Sequence, residues 1–427
     1  MNRAVVIVDG EHYPPVVRDA LGELDHDVVA VVLVGGTEKL RGLPDYGVPL
    51  SASVEAAVAE HEPELVFDLS DDPVLGPRER LALASRVLAL GLPYEGADFR
   101  FDPPTFAPFG LPAIAVGGTG KRVGKTAVTC ALARSLARDR SVAVVAMGRG
   151  GPPQPELVET PPTIEDLLAL ARSGRHAASD HLEVAAIAGV PTIGCRRAGG
   201  GLAGAVAVSN VPEGAALAAS LGPDLVVFDG SGAALPPIAA GARVLVVGVH
   251  QDPLVATGFL NAYRHRLADL VVLTCADEDT ARERLRRLST ALVREGVRIV
   301  ATVLRPRPLA PVTGRRVAFF GAAPPAAHAA IAAHLREAHD ADVVAVSGAL
   351  ADRATLREEL SRVQADVFLV ELKAAAIDVV AEEAVARGVE LVLVANDVVP
   401  LPGEPALDPE IARLADLAAT AELPEAV

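Results

Sequence analysis

The sequence predicts an α/β protein made of three consecutive α/β units with mainly parallel sheets. Three observations carry this prediction. Short apolar runs of Val, Ile, Leu and Ala alternate with helix-like stretches, the pattern of strands covered by helices on both faces. The middle third opens on an apolar strand, a glycine-rich turn and a helix beginning Gly124-Lys125-Thr126. The last third resumes the strand–helix alternation from Pro311. The units are expected at residues 1–107, 108–310 and 311–427, in a chain long enough for two or three cores.

In the first unit, residues 3–9 form a buried strand ending in Asp9-Gly10-Glu11-His12, and a helix follows from about Val16 to Leu24. Next come a strand (Val28–Val34), a helix (Val54–Glu60), a strand (Leu65–Leu69) and a long helix (Pro77–Leu90) stopped by Gly91 and Pro93. Ligands of such sheets sit at the carboxyl ends of the strands. Asp9, Glu11 and His12 stand at one such end and are candidate substrate contacts, with a local hydrogen-bonded turn as the alternative. The stretch Phe99–Gly110 is expected to be a linker. It holds four of the ten phenylalanines, so it should pack against something.

The second unit starts with a strand at Ala113–Val116 and a phosphate-binding loop. Gly118, Thr119, Gly120, Val123 and Gly124 supply its backbone, and Lys125, Thr126 and Ala127 open the helix whose N-terminus faces the phosphates. Lys125 is expected on the β/γ-phosphates of ATP and Thr126 on Mg²⁺. The spacing from Gly118 to Gly124 is one residue longer than usual, because Thr119 stands where the common pattern has glycine. Two of only four lysines in the chain, Lys121 and Lys125, lie in this loop. The longer form resembles the loop of dethiobiotin synthetase, within the P-loop NTPase-like superfamily.

A strand at Val142–Met147 leads to Gly148-Arg149-Gly150-Gly151, where an arginine between glycines can approach an anion or simply close a turn. Residues 160–190 look helical and polar. His176, Asp180, His181 and Glu183 lack the spacing of a zinc helix and are expected on a solvated face. Arg196 and Arg197, followed by Gly199-Gly200-Gly201, suggest an anion cradle, since guanidinium forks match phosphate oxygens. The strand from Asp224 ends in Asp229-Gly230-Ser231-Gly232, similar to the acid-Gly-x-Gly segment of dethiobiotin synthetase, which implies a Mg²⁺ role for Asp229. Strands at Val244–Val249, Leu270–Leu273 and Arg298–Val303, with a charged helix at Glu278–Arg294, complete the unit; its last strand leads into Arg305-Pro306-Arg307-Pro308.

In the third unit, strands are expected at Arg316–Phe320, Val343–Val346, Val367–Val370 and Leu391–Val394, with helices between them and a helical tail after Pro405. Glu371-Leu372-Lys373 stands at a strand-to-helix junction, where a helix-start ion pair is the plain alternative to a functional lysine.

Composition narrows the function classes. A formal net charge of −16 argues against nucleic acid as a partner. No apolar run approaches the ~18–20 uncharged residues of a membrane span, and the first residues contain no signal core, so a soluble, cytoplasmic protein is expected. Three distant cysteines without Cys-x-x-Cys spacing argue against a zinc or disulfide framework. The Lys125, Thr126 and Asp229 set points to Mg²⁺-ATP. Lys121, Arg122, Arg149, Arg196, Arg197, Arg305 and Arg307 all fall on loops of the same unit, mostly after strands. Such a cluster suits a second, heavily anionic substrate facing the γ-phosphate. Lys125, Lys121, Arg122 and Asp229 form the expected catalytic set.

Across nearly the whole chain, Asp9–Val17, Gly118–Val128, Met147–Pro152, Ser179–His181, Gly194–Gly201, Val303–Pro306 and Asp366–Val380 resemble the cyclic 2,3-diphosphoglycerate synthetase family. The resemblance implies ATP-dependent closure of 2,3-diphosphoglycerate to its cyclic phosphoanhydride with release of ADP and phosphate, dependence on Mg²⁺ and K⁺, and a homodimer. Asp9 to His12 are then expected on a lid over the site. Two other classes stay open. A dethiobiotin-synthetase-like ligase activating a carboxylate or carbamate needs fewer substrate-facing arginines. A MinD/ParA-like nucleotide switch carries a signature lysine five residues before the loop lysine, where this chain has Gly120.

Overall fold

In the computed structural model, which describes residues 1–36 and 39–421, the elements gather into two sheets. The first unit contributes β1 (Asn2–Val8), β2 (His26–Leu33), β3 (Leu50–Ser51), β4 (Leu65–Asp68), β5 (Tyr94–Gly96) and β6 (Phe99–Phe101) in the order β3-β2-β1-β4-β5-β6. The first five are parallel, joined by α1 (Pro14–Glu23), α2 (Val54–His61) and α3 (Pro77–Ala89). Central β1 is the most apolar run of the unit, and Ala4 to Ile7 are wholly buried.

The expected linker begins as structure. β6 turns back antiparallel on β5, and the Phe99 ring packs 5.3 Å from Tyr94 and 5.9 Å from Phe101. Three-residue strands are too short for alternation to show in the sequence. The remaining phenylalanines tie this segment to the second unit: the Arg243 guanidinium lies 4.3 Å from the Phe106 ring centre, and Phe109 meets Phe228 edge-on at 5.1 Å.

The second unit holds β7 (Ala113–Gly118), β8 (Val142–Gly148), β9 (Glu156–Val158), β10 (Thr192–Gly200), β11 (Val206–Ser209), β12 (Leu225–Asp229), β13 (Ala242–Gly248), β14 (Leu270–Thr274) and β15 (Arg298–Pro308). Its helices are α4 (Lys125–Leu136), α5 (Ile164–Arg172), α6 (Asp180–Ala188), α7 (Val211–Ser220), α8 (Pro253–Thr257), α9 (Asn261–Leu267) and α10 (Asp279–Thr290). β10-β8-β12-β7-β13-β14-β15 run parallel, so Arg196, Gly148, Asp229, Gly118 and Thr274 all arrive at one edge.

The third unit adds β16 (Arg316–Phe320), β17 (Asp342–Ser347), β18 (Val367–Glu371) and β19 (Glu390–Pro400), with α11 (His328–His339), α12 (Arg353–Arg362), α13 (Glu382–Arg387) and α14 (Leu407–Thr420). It shares a sheet with the second unit: β15 pairs parallel with β14 through its first half and antiparallel with β19 from Thr302 to Pro308. The helical tail α14 then returns to the second unit, where Ile411, Leu414, Ala415 and Ala418 enter the core built on α4 and β7. The first unit docks through α3 against α9, with Leu260 and Tyr263 in its core cluster and a hydrogen bond from Ser85 Oγ to the Phe259 carbonyl (3.1 Å). Among the described residues, no helix is long and apolar enough to cross a membrane.

Candidate active site

The loop after β7 is held open by its neighbours. Thr119 faces inward: its N–H donates to the Val246 carbonyl (3.1 Å), and its hydroxyl donates to Gln251 Oε1 (2.5 Å). Asn261 Nδ2 donates to the Thr119 carbonyl (3.1 Å), and Thr274 Oγ1 donates to the Val123 carbonyl (2.6 Å). Thr119 and buried Val123, both expected at the nucleotide, therefore anchor the loop from behind. Gly120 and Gly124 are closely packed: a Cβ on Gly120 would lie 2.8 Å from Gln251 Nε2, and one on Gly124 3.2 Å from Leu304 Cδ1. Gly124 takes a left-handed φ of 83° and starts α4 with no side-chain cap, leaving the first-turn N–H groups for an anion. The Lys125 stem folds back over Gly118, where a Cβ would lie 2.8 Å from Lys125 Cδ. Thr126 and Ala127 follow in the first turn of α4.

Around Lys125 the strand ends assemble a charge cluster. Asp229, at the end of β12, is buried and accepts from Thr129 Oγ1 (3.0 Å) through Oδ1. Burial pushes its carboxyl up to about 7, against the pull of the Lys125 charge. Asp180 begins α6, and a Cβ on Gly148 would lie 3.1 Å from its Oδ2. Burial raises its carboxyl too, opposed by Lys125, His176, Lys373 and Arg149. Burial lowers the Lys125 ammonium while Asp229 and Asp180 hold it up. A cationic wall stands opposite. Gly232, with φ 63°, passes under two guanidiniums: a Cβ there would lie 3.0 Å from Arg149 Nη2 and 3.4 Å from Arg197 Nη2. Arg197 Nη2 donates to the Ser231 carbonyl (2.7 Å), and its buried Nε has no protein partner.

These groups fit a magnesium nucleotide beside a second anion. Among the described residues Lys125 donates no hydrogen bond, and the protein occupies only one oxygen of Asp229. A bare helix N-terminus adjoins both.

Several expected contacts lie elsewhere. β10 continues through Arg196 and Arg197 into a hairpin with β11, so the anticipated open cradle is a strand. Successive strand residues face opposite ways, which puts exposed Arg196 on the face away from Arg197. Arg305 is paired with Asp277 of the β14–α10 loop (3.0 Å), and Arg307 with Asp397 of β19 (3.0 Å). Lys121 and Arg122 are exposed at the loop tip, Arg122 with φ 63°. In the first unit, Asp9 accepts from the Glu11 N–H (2.9 Å) and the Asp71 N–H (2.8 Å) and bonds His12 Nδ1 (2.9 Å). The Glu11 side chain packs along Gly36. This is a local network within its own unit.

Other residues near the site are not evident from the sequence. Of the residues expected on a solvated face, His176 is exposed and Asp180 half-buried, but His181 and Glu183 on α6 are buried, 5% and 6% exposed. Burial drives the His181 imidazole down to about 4 and lifts the Glu183 carboxyl to about 7. The available signal was the apolar character of Leu182-Glu183-Val184-Ala185-Ala186-Ile187-Ala188, which leaves α6 little face for water. Lys373 crosses from the third unit to Glu183 (3.6 Å).

A parallel sheet bearing a glycine loop, an uncapped helix N-terminus and a half-buried lysine at its carboxyl edge defines a P-loop nucleotide-binding protein. Family models narrow the class. Three descriptions match in sequence: cyclic 2,3-diphosphoglycerate synthetase N-terminal domain over residues 3–102, P-loop domain over 113–303 and C-terminal domain over 308–397. The chain belongs to the cyclic 2,3-diphosphoglycerate synthetase family. It is 46% identical to the synthetase of that name from Rubrobacter xylanophilus, over 97% of each chain. It is 42% identical to that of Thermococcus kodakarensis over 94% of this chain and 95% of the relative, and 39% identical to that of Methanothermus fervidus over 92% of each.

Proposed function

We propose that the protein closes 2,3-diphosphoglycerate to its cyclic phosphoanhydride at the expense of ATP. The observation that carries this reading is the convergence of Arg149 and Arg197 on Gly232, beside Lys125 and the uncapped start of α4. That is room for two anions at one sheet edge. A carboxylate-activating ligase does not need the second cationic wall, and a nucleotide switch does not need a second anion at all.

In this reading, Lys125 and the first-turn N–H groups of α4 hold the β/γ-phosphates. Thr126 and Asp229 hold Mg²⁺, which neutralises phosphate charge when bound. K⁺ accompanies it as the supporting monovalent cation. One substrate phosphate attacks the γ-phosphorus, and ADP leaves with the β–γ bridging oxygen. An oxygen of the second substrate phosphate then attacks the first and expels the transferred group as inorganic phosphate, closing the ring. Both nucleophiles are ionised at neutral pH, so no general base is required. Arg149 and Arg197 hold the two phosphates of one molecule close together, which lowers the entropic cost of closure and screens their repulsion. The first unit serves as the cover that keeps water from the activated phosphate, and the active species is a homodimer.

The test is ³¹P NMR of the purified protein with ATP, Mg²⁺, K⁺ and 2,3-diphosphoglycerate. A cyclic product with one ADP and one phosphate per ring is expected. ADP and phosphate without a ring would refute the proposal.

A further inference from the structure

Lys373 is one of four lysines in the chain, and the proposed phosphate chemistry does not use it. It follows β18 in a turn where Ala374 adopts a left-handed φ of 43°. Its Nζ lies 3.6 Å from Glu183 Oε1 on α6 and 4.0 Å from Glu371 Oε2 at the end of β18. Both separations exceed a hydrogen bond, so the ammonium acts as a charge lodged between two carboxylates. Glu371 is fixed in place: Asn396 Nδ2 donates to Oε1 (2.5 Å), and the Ala322 N–H donates to Oε2 (3.0 Å). Glu183 lies three residues after Asp180, on the same face of α6 and one turn further on. The chain of contacts therefore runs from the third unit through Lys373 and Glu183 to the helix start that sets Asp180 against Gly148 and Lys125.

We propose that Lys373 is a positioning residue for the P-loop site: its charge clamps α6 to the end of β18 and so fixes Asp180 beside Lys125. Two carboxylates around it leave no net positive charge to offer a phosphate, so a substrate contact is not its role. Without it, Glu183 and Glu371 would face each other at the unit boundary, with Asp180 and Asp229 adding to the repulsion. The Lys373 side chain is 38% exposed, whereas Glu183 and Glu371 are 7% and 9% exposed, so removing the cation is costly because two buried carboxylates stay behind without it. α6 would relax away from β18, and Asp180 with it.

The inference rests on the proposed ring closure for its kinetic readout, so a second readout is taken without turnover. Lys373→Met is expected to lower kcat roughly 10- to 100-fold, with KM for ATP and for 2,3-diphosphoglycerate each within about threefold. Lys373→Arg should recover most of the rate. Adding Glu183→Gln to Lys373→Met should recover part of it, since the stranded carboxylate is then neutral. Glu183→Gln alone, isosteric and suited to a case in which Lys373→Met fails to fold, should lower kcat in the same way. A raised KM for 2,3-diphosphoglycerate with kcat kept would make Lys373 a substrate ligand and overturn the proposal. Unchanged kinetics in both single variants would do so as well. Independently, amide hydrogen exchange from Glu183 to Ala188 of α6, where the helical hydrogen bonds begin, should be faster in Lys373→Met or Glu183→Gln than in wild type. Unchanged protection overturns the clamp even if wild type forms no ring, an outcome that would separately refute the ring-closing function.

Discussion

At the scale of single residues, two adjacent arginines make opposite predictions. Arg197 reaches the Ser231 carbonyl and shares the space over Gly232 with Arg149, while Arg196 leaves the other face of β10. Arg197→Ala should therefore cut kcat/KM for 2,3-diphosphoglycerate by about 10²–10³-fold, the usual effect of removing a cation that meets developing phosphate charge. Arg196→Ala should change it by no more than about threefold. Steady-state kinetics on the two variants decide the matter, and equal losses would show that the hairpin presents both guanidiniums to one ligand. The sequence ranked these residues equally because adjacency in a strand means opposite faces, and the strand itself was hidden by three glycines. Lys125, Thr126 and Asp229 were legible because a short motif dictates their backbone geometry. Asp180 and Glu183 were not, since polar residues on a short helix look solvated until tertiary packing buries both faces.

At the scale of elements, the parallel strands were legible because each is a continuous apolar run, whereas the joints between units were not. Arg305-Pro306-Arg307-Pro308 has the composition of a loop, yet it is the second half of β15. The prolines share one parity along the strand. The Leu309 N–H, on the other parity, donates to the Leu393 carbonyl of β19 (2.9 Å), so the positions lacking an N–H face away from the antiparallel partner. Arg307 pairs with Asp397 across the junction and Arg305 with Asp277 in the β14–α10 loop, which explains why this cation pair is not at the ligand. α14 is the other unforeseen joint. Its apolar face belongs to the core under α4, far along the chain from the residues it packs against. Leu414→Ala, at a fully buried position, should lower stability by about 2–5 kcal/mol in urea unfolding. Leu417→Ala on the exposed side should stay within about 0.5 kcal/mol. Equal effects would mean that α14 is not part of the nucleotide unit's core.

At the scale of the whole molecule, one sheet runs through the second and third units, and the first unit is attached differently. A continuous ladder from β11 to β17 leaves those two units little freedom to shear, because every displacement breaks β15–β19 hydrogen bonds. The first unit has its own sheet and meets the rest mainly through α3 on α9 and the phenylalanine-rich segment. If any body covers the phosphates during turnover, its attachment makes it this one. Ser85 lies in this contact: it is wholly buried, small, and hydrogen-bonded across it to the Phe259 carbonyl. Ser85→Glu forces a long charged side chain into that crossing and wedges the units apart, since burying it unpaired is costly. Asn261, two residues beyond Phe259, holds the Thr119 carbonyl, so ADP affinity is measured in parallel: a value within about threefold of wild type reports an undisturbed nucleotide loop, and circular dichroism should report an intact fold. The activated phosphate would then be open to water, and phosphate released per ring formed should rise above the wild-type ratio of one. A folded Ser85→Glu protein that keeps that ratio would show that the first unit does not shield the reaction, and the network of Asp9, His12 and Asp71 would then have to be explained within its own unit.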